Sequence, residues 1–388
     1  MRETVTSAGR TIRWVAGMGT IWLATLLAVT GCGPDVPPAP PVDATTAERQ
    51  AQAFIEAIKP QREGRPTIAI VASNEGTEIT DLLLTHAVLQ RADIADVIAV
   101  APRAGRVDLY PAPLQVEVTQ TIAGFDEAHP NGADYVIVPA MTHKDDPEIL
   151  DWLKRQSSLG ARIVGVCAGA LVVGNAGLLD DRRFTTHWWY RDELMENHPK
   201  AKYVPHRRYV IDDNIATTTG ISASVPTMLA LVEAIGGHDK AQTLATELGV
   251  DSWTPVHDSS QFGLDFSRGF SFILNRLAFW RDDDALIPVE DGADDVALAF
   301  TADAWSRTGH INVSTSAPGP VRLRSGMTLL PNSTTTNAWL LPLTAGLNPM
   351  QQLHRTLCEI GSRFGDARKD WVRIELEYGI QPDCGEGS

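Results

Sequence analysis

A chain of 388 residues, 44% of them hydrophobic and only four of them cysteine, is long enough to bury one or two domain cores and too poor in cysteine to be a disulfide scaffold. Its 33 Lys+Arg stand against 48 Asp+Glu, a formal net charge of −15. That balance argues against a protein that grips phosphate backbones, so no nucleic-acid partner is expected.

The first segment reads as targeting sequence. Arg2, Arg10 and Arg13 precede an uncharged, mostly apolar stretch from Trp14 to Thr30, which ends in Val29-Thr30-Gly31-Cys32. Small residues leading into a cysteine resemble a bacterial lipobox. On that reading residues 1–31 are a lipoprotein signal peptide, Cys32 is the lipidated residue, and the chain sits outside the cytoplasm on a bacterial membrane. The competing reading is a single membrane-spanning helix, for which the length is nearly sufficient.

Residues 32–44 hold Pro34, Pro37, Pro38, Pro40 and Pro41, a stiff tether of about 40 Å if extended as polyproline. Thr45-Thr46-Ala47-Glu48 has capping-box spacing, and Ala51, Phe54, Ile55 and Ile58 follow at helical intervals, so an amphipathic helix opens the folded part.

From Pro66 onward, short apolar runs alternate with helix-length segments. Strands are expected at Thr67 to Ala72, Val97 to Ala101, Tyr135 to Val138 and Arg162 to Val166. Helices are expected at Ile79 to Gln90, Pro147 to Leu159 and Ala168 to Ala176. Continuously apolar strands, each followed by a helix, predict an α/β domain over 45–238: a doubly wound, flavodoxin-like parallel sheet with helices on both faces. A helical connector over 239–285 and a C-terminal α+β extension over 286–388 complete the predicted organisation.

In such sheets the chemistry gathers at the carboxyl ends of the strands. There the buried strand before Cys167 runs into Ala168-Gly169-Ala170. Only small neighbours permit the sharp strand-to-helix turn that lifts a nucleophile out of a sheet. A helix N-terminus behind a thiol favours its thiolate. The bland alternative is a small buried cysteine.

These residues resemble the ThiJ/PfpI family of the class I glutamine amidotransferase-like superfamily, in a pattern most like the sensor domain of AraC-type regulators and the isonitrile hydratases. The resemblance covers residues from about 66 to 238. It is carried by the Cys167 turn, Ala176-Gly177-Leu178-Leu179-Asp180, Thr185-Thr186-His187-Trp188, Tyr209-Val210-Ile211-Asp212-Asp213 and Thr217 to Ala223. It implies Cys167 as nucleophile, His187 as base or proton shuttle and Glu78, in Glu78-Ile79-Thr80, as the supporting acid. It also implies backbone amides at Ala140, Ala168 and Gly169 lining an oxyanion pocket. The chain departs from the pattern at Pro139-Ala140-Met141, where a glycine-containing turn is usual, and at Ser224-Val225-Pro226, where an acid is usual. Ala168 stands where protease-type members carry a histidine.

The resemblance therefore implies hydration or hydrolysis of a small electrophile by the Cys167 thiolate. The alternative is a non-catalytic small-molecule-binding or sensor domain. Ser259 to Phe262 resembles the junction before a DNA-binding module, but Leu264 to Trp280 reads as one amphipathic helix and no helix-turn-helix pair follows.

In the tail, Arg281 to Asp284 and Glu290 to Asp295 read as acidic linker, and Val296 to Phe300, His310 to Ser314 and Met327 to Leu330 as strands. Ile311 to Pro331 shares the layout of Val97 to Val118, a weak sign of a degenerate partial repeat. Cys358 and Cys384 either pair as a disulfide or stay free. Ligand spacing for a metal and a phosphate-cradling glycine loop are both lacking, so no metal and no cofactor is expected. The expected partners are a small-molecule ligand or substrate, the membrane through Cys32, and in the family's manner a second copy in a homodimer.

Overall fold

The computed structural model describes residues 36–263, 283–333 and 338–385. The segment read as a signal peptide, Cys32 and the helix expected over Leu264 to Trp280 lie outside the described residues. No helix among the described residues is long and apolar enough to cross a membrane.

The last residues of the Pro-rich stretch lie against the body, where the Ala39 N–H donates to Asp258 (3.2 Å). Helix α1 (Ala44–Ile58) buries Ala51, Phe54, Ile55 and Ile58, and its cap is Asp43, which accepts from the Thr46 N–H, not the Thr45 box. There follow β1 (Thr67–Val71), β2 (Thr77–Glu78), α2 (Ile79–Ala92), β3 (Asp96–Ala101), β4 (Gly105–Tyr110), β5 (Gln115–Val118), β6 (Gln120–Thr121), α3 (Ile122–Ala128), β7 (Tyr135–Val138) and α4 (Pro147–Ser158). Next come β8 (Arg162–Gly165), α5 (Gly169–Asn175), β9 (Arg183–Phe184), α6 (Arg191–Asn197), β10 (Lys202–Tyr203), β11 (Tyr209–Asp212), β12 (Ile215–Thr218), α7 (Ser224–Gly236) and α8 (His238–Leu248).

Seven strands form the main sheet in the order β11-β12-β8-β7-β1-β3-β6. Every neighbouring pair is parallel except β11 with β12. Strands β7 and β8 are buried along their whole length, as strands covered on both faces must be. One apolar layer holds α1, α2, α7 and α8, and the other holds α3, α4 and α5. The doubly wound, flavodoxin-like α/β reading therefore stands.

The tail adds β13 (Asp283–Pro288), α9 (Asp295–Ser306), β14 (Ile311–Ser316), β15 (Val321–Arg322), β16 (Thr328–Leu329), β17 (Trp339–Leu340), α10 (Pro349–Phe364) and α11 (Asp366–Glu375). Two expectations are corrected here. Val296 to Phe300 is not a strand but the start of α9, because Asp294 caps the Val296 and Ala297 N–H groups (2.9 and 3.1 Å) and the apolar run goes on to Trp305. A short continuous apolar run does not by itself tell buried strand from buried helix. The stretch read as acidic linker contains β13, whose two aspartates are exposed at its start while Ala285 and Ile287 are buried.

Strands β14-β13-β17 make a parallel three-stranded sheet, and β15-β16-β5-β4-β2 a mixed sheet shared by tail and first domain. Helix α9 packs between α2 and α10. Cys358 in α10 and Cys384 form a disulfide across a separation of 26 residues, a closure that stabilises by about 3–4 kcal/mol in the chain-entropy model.

Candidate functional site

Cys167 leaves the end of β8 with φ 56°, a left-handed backbone that a side chain with Cβ rarely adopts. Three contacts hold it there. Its N–H donates to Thr218 Oγ1 (3.1 Å), its carbonyl accepts from Thr186 Oγ1 (2.9 Å), and the Val166 carbonyl accepts from the Gly169 N–H (2.7 Å). A Cβ on Gly169 would stand 1.9 Å from the Val138 carbonyl oxygen, so the turn can close only on glycine. Only 4% of Cys167 is exposed.

Glu78 is the N-cap of α2. One carboxyl oxygen accepts from Thr80 Oγ1 (2.6 Å) and from the Asp81 N–H (2.7 Å), and the other from Arg307 Nη2 (3.1 Å). Asp81, one helical turn on, is fully buried and accepts the Ala140 N–H (2.9 Å). Arg307, at the end of α9, also bonds Asp303 (2.8 Å) and Glu375 (3.4 Å). Four carboxyl groups thus gather around one guanidinium in a largely dry place.

Burial, with Asp303 adding to it and Arg307 opposing it, pushes the Glu78 carboxyl up to about 7. Burial and the charge of Glu78 hold Asp81 well above the usual carboxylate range. Burial opposes charge on Arg307, yet Asp303, Glu375 and Glu78 together keep it firmly protonated. The thiol does not behave as the helix N-terminus suggests. Burial, then the charges of Asp81, Glu78 and Glu377, push Cys167 well above the ordinary thiol range, and only the Ala168 amide facing the sulfur works the other way. Helix α5 has two turns, and its first amides are spent inside the elbow, so its end offers the sulfur little. Tyr110 and Tyr190 also stand close enough to sense the sulfur's charge.

The remaining residues expected at the site lie beside it but are already engaged. His187 accepts the Trp189 N–H at Nδ1 (3.2 Å), which places its proton on Nε2, and Nε2 donates to the Glu375 carbonyl (2.8 Å). Burial lowers its pKa to about 3. The Ala140 amide is given to Asp81 and the Gly169 amide to Val166. Of the three amides expected to line an oxyanion pocket, only that of Ala168 faces the sulfur.

What covers the site comes from the tail. The carbonyls of Ile374, Glu375, Leu376 and Glu377 accept in turn from Trp188 Nε1 (3.0 Å), His187 Nε2, the Ser222 N–H (3.0 Å) and Ser222 Oγ (2.7 Å). The Glu377 carboxylate accepts the Trp188 and Gly220 N–H groups (2.6 and 2.7 Å). Sequence reasoning missed Asp81, Arg307, Asp303, Glu375 and Glu377. Asp81 was within reach, since an acid one turn beyond Glu78 shares its helix face. The others are joined to the site only by the fold. Among the described residues no group of three or more His, Cys, Asp or Glu side chains is arranged to hold a metal ion.

A buried thiol on a strained strand-to-helix turn, flanked by carboxyl groups at the sheet's carboxyl end, defines an α/β domain of the nucleophile-elbow type. Residues 67–234 match the family model described as DJ-1/PfpI family, and this segment is a DJ-1/PfpI family domain. Among its relatives is an isonitrile hydratase of Pseudomonas putida, 37% identical over 105 residues that cover 27% of this chain and 44% of that protein. Another is the HTH-type transcriptional regulator GlxA of Rhizobium meliloti (strain 1021), 41% identical over 93 residues, 24% of this chain and 28% of the relative. The chain thus spans less than half the length of either. A crystal structure of a ThiJ/PfpI family protein from Pseudomonas syringae aligns over 50% of this chain and 78% of its own, with 25% identity and a TM-score of 0.44.

Proposed function

We propose that the chain is a cysteine-dependent hydratase or hydrolase of a small electrophile, tethered through Cys32 outside the cytoplasm. The observation that carries the chemistry is Cys167, held at φ 56° at the strand end with a carboxyl poised near neutrality beside it. A general acid-base works best when its pKa lies near the operating pH. The thiol adds to the electrophilic carbon and forms an S–C bond, while Glu78 takes the thiol proton and returns it to the substrate, onto the carbon itself where the substrate is an isonitrile, which gives a thioimidate. Water then adds to the same carbon and gives one proton to the substrate nitrogen, and as the S–C bond breaks the remaining hydroxyl proton passes through Glu78 to sulfur. One water is consumed. Hydration of an isonitrile to a formamide, the reaction type in the name of the Pseudomonas relative, has this balance.

With small isonitriles as substrates, turnover is expected to vanish in Cys167→Ser and to fall by about 10²–10⁴-fold in Glu78→Gln. His187→Ala is expected to lower stability without moving the pH profile, because both ring nitrogens are spent on the backbone. A protein with no turnover, whose thiol titration at 240 nm is unmoved by Glu78→Gln, would instead be a small-molecule-binding or sensor domain. The engagement of His187 and of the Ala140 amide favours that second reading.

The disulfide between Cys358 and Cys384 supports an oxidising location. Cys32→Ala should move the protein from the membrane to the soluble fraction. Retention of that variant in the membrane would point to a spanning helix instead.

A further inference from the structure

The tail repeats the first domain. A constant shift along the chain lays β1–α2 on β13–α9, with Thr67 on Asp283, the helix cap Glu78 on the cap Asp294, and Arg91 on Arg307. The sheet order β7-β1-β3 returns as β17-β13-β14, parallel throughout. The β4–β5 hairpin returns as β15–β16. Helices α7 and α8, joined by Gly237 at φ 89° and ψ 165°, return as α10 and α11, joined by Gly365 at φ 85° and ψ 164°. In each half the helix after the first strand packs on the former of the pair, and the two of the pair pack on each other. The stretch from α4 to β12, with the elbow cysteine, has no counterpart in the tail.

The two halves also meet as two copies related by a twofold axis meet, residue i on residue j and j on i. Arg307 of α9 reaches Glu78, the cap of α2 (3.1 Å), and Arg91 of α2 reaches Asp294, the cap of α9 (2.9 Å). Each arginine also has a partner at matching places in its own half, Glu375 near the end of α11 for Arg307 (3.4 Å) and Glu247 near the end of α8 for Arg91 (3.5 Å), while their remaining carboxylates, Asp303 for Arg307 and Asp295 for Arg91, do not correspond. The counterpart strands β5 and β16 pair with each other, antiparallel, Val116 on Leu329. An axis between two strands generates that arrangement.

We propose that residues 283–376 are a degenerate second copy of the fold, docked on the first about a pseudo-twofold axis as a built-in partner, and that Arg307 is the positioning residue this copy supplies to the thiol site. The face that a second subunit would use is already filled, so the chain is monomeric. Of the two symmetry-related ion-pair triads, only that of Arg307 touches the site. Glu78 faces Asp81 from its own helix, Asp303 and Arg307 from α9, and Cys167, Tyr110 and Tyr190 from the first domain. Arg307 is the only cation among these groups.

The thiol arm of the test rests on the proposed function's assignment of Glu78, while the mass and stability arms do not. Light scattering on the purified protein should give a monomer from low to high micromolar concentration. Arg307→Met and Arg91→Met should both lower the melting temperature. Only Arg307→Met should raise the limb of the Cys167 alkylation profile that Glu78→Gln abolishes, by about one to two pH units, and Arg307→Lys should restore most of it. Where Arg307→Met does not fold, Arg307→Lys against Arg91→Lys carries the same comparison, with a smaller upward shift for the first alone. A dimer by mass would overturn the built-in partner. Equal shifts in both variants, or none in either, would overturn the role of Arg307.

Discussion

Gly169→Ala is expected to cost about 3–5 kcal/mol, at the upper end of what single substitutions do. Helix propensity alone favours alanine over glycine by about 1 kcal/mol. That gain is overwhelmed because the new Cβ would lie 1.9 Å from the Val138 carbonyl oxygen and 3.0 Å from the Pro139 carbonyl carbon. These are backbone atoms of the last residue of a central, fully buried strand and of the residue after it, so the clash cannot be relieved by turning a side chain. The elbow must open, and Cys167 with it. Gly124→Ala is the control: its Cβ would meet the amide end of Gln120 at 2.9 Å, a flexible group that can move aside, and its change should stay within about 1 kcal/mol. Urea unfolding of both variants, with the disulfide intact, decides between them. A Gly169→Ala protein as stable as wild type would mean that the β8–α5 turn does not need its close approach to the β7 segment.

This prediction was open to the sequence only in part. The run before Cys167 and the small residues after it disclose a buried strand entering a tight turn, because both are local consequences of residue size and polarity. Glu78 was likewise found from its immediate neighbours, and its role as the cap of α2 is a local one. What could not be read is what arrives from far along the chain. Arg307 meets Glu78 across 229 residues, and the Glu377 carboxylate meets Gly220 across 157. His187 is recognisable in Thr185-Thr186-His187, but nothing nearby tells that its Nε2 is spent on a carbonyl 188 residues away. The thiol was misjudged for the same reason, since the helix end is local and visible while the carboxylates that outweigh it are assembled by the fold. Val296 to Phe300 failed differently: its apolar run suits either period, and the cap Asp294, hidden among three other acids, settles it as helix. The weak likeness of Ile311 to Pro331 to Val97 to Val118 pointed toward the repeat proposed above, for which paired helix caps and arginines argue more firmly than apolar runs.

Glu377→Ala should be the most consequential change in the tail, with effects on both stability and the thiol. The residue sits at φ 48°, a conformation that disfavours any side chain with a Cβ, and it holds that position because its carboxylate closes two buried backbone donors, Trp188 N–H and Gly220 N–H. Gly220 makes room for it: a Cβ there would stand 2.4 Å from the His187 ring and 2.9 Å from Glu377 Cγ. Alanine leaves both donors bare, and each buried unsatisfied group costs about 1–3 kcal/mol, for a loss of roughly 2–5 kcal/mol. Burial raises the Glu377 carboxyl to about 7, against the pull of the two N–H groups. A carboxyl raised on folding contributes stability that is fully present below its ordinary pKa, near 4.5, and is lost as pH rises through 7. The destabilisation by Glu377→Ala should therefore be largest near about pH 5 and smaller near about pH 8. The same substitution removes one of the three charges that hold the Cys167 thiol up, so the thiol should become more acidic in the folded protein and react faster with a small alkylating reagent at neutral pH. Unfolding curves at both pH values and the thiolate absorbance at 240 nm check the two halves separately. A variant destabilised more at the higher pH would show that the Glu377 carboxyl is not raised by folding, and one whose thiol titrates as in wild type would show that Glu377 does not bear on the sulfur and only anchors the tail.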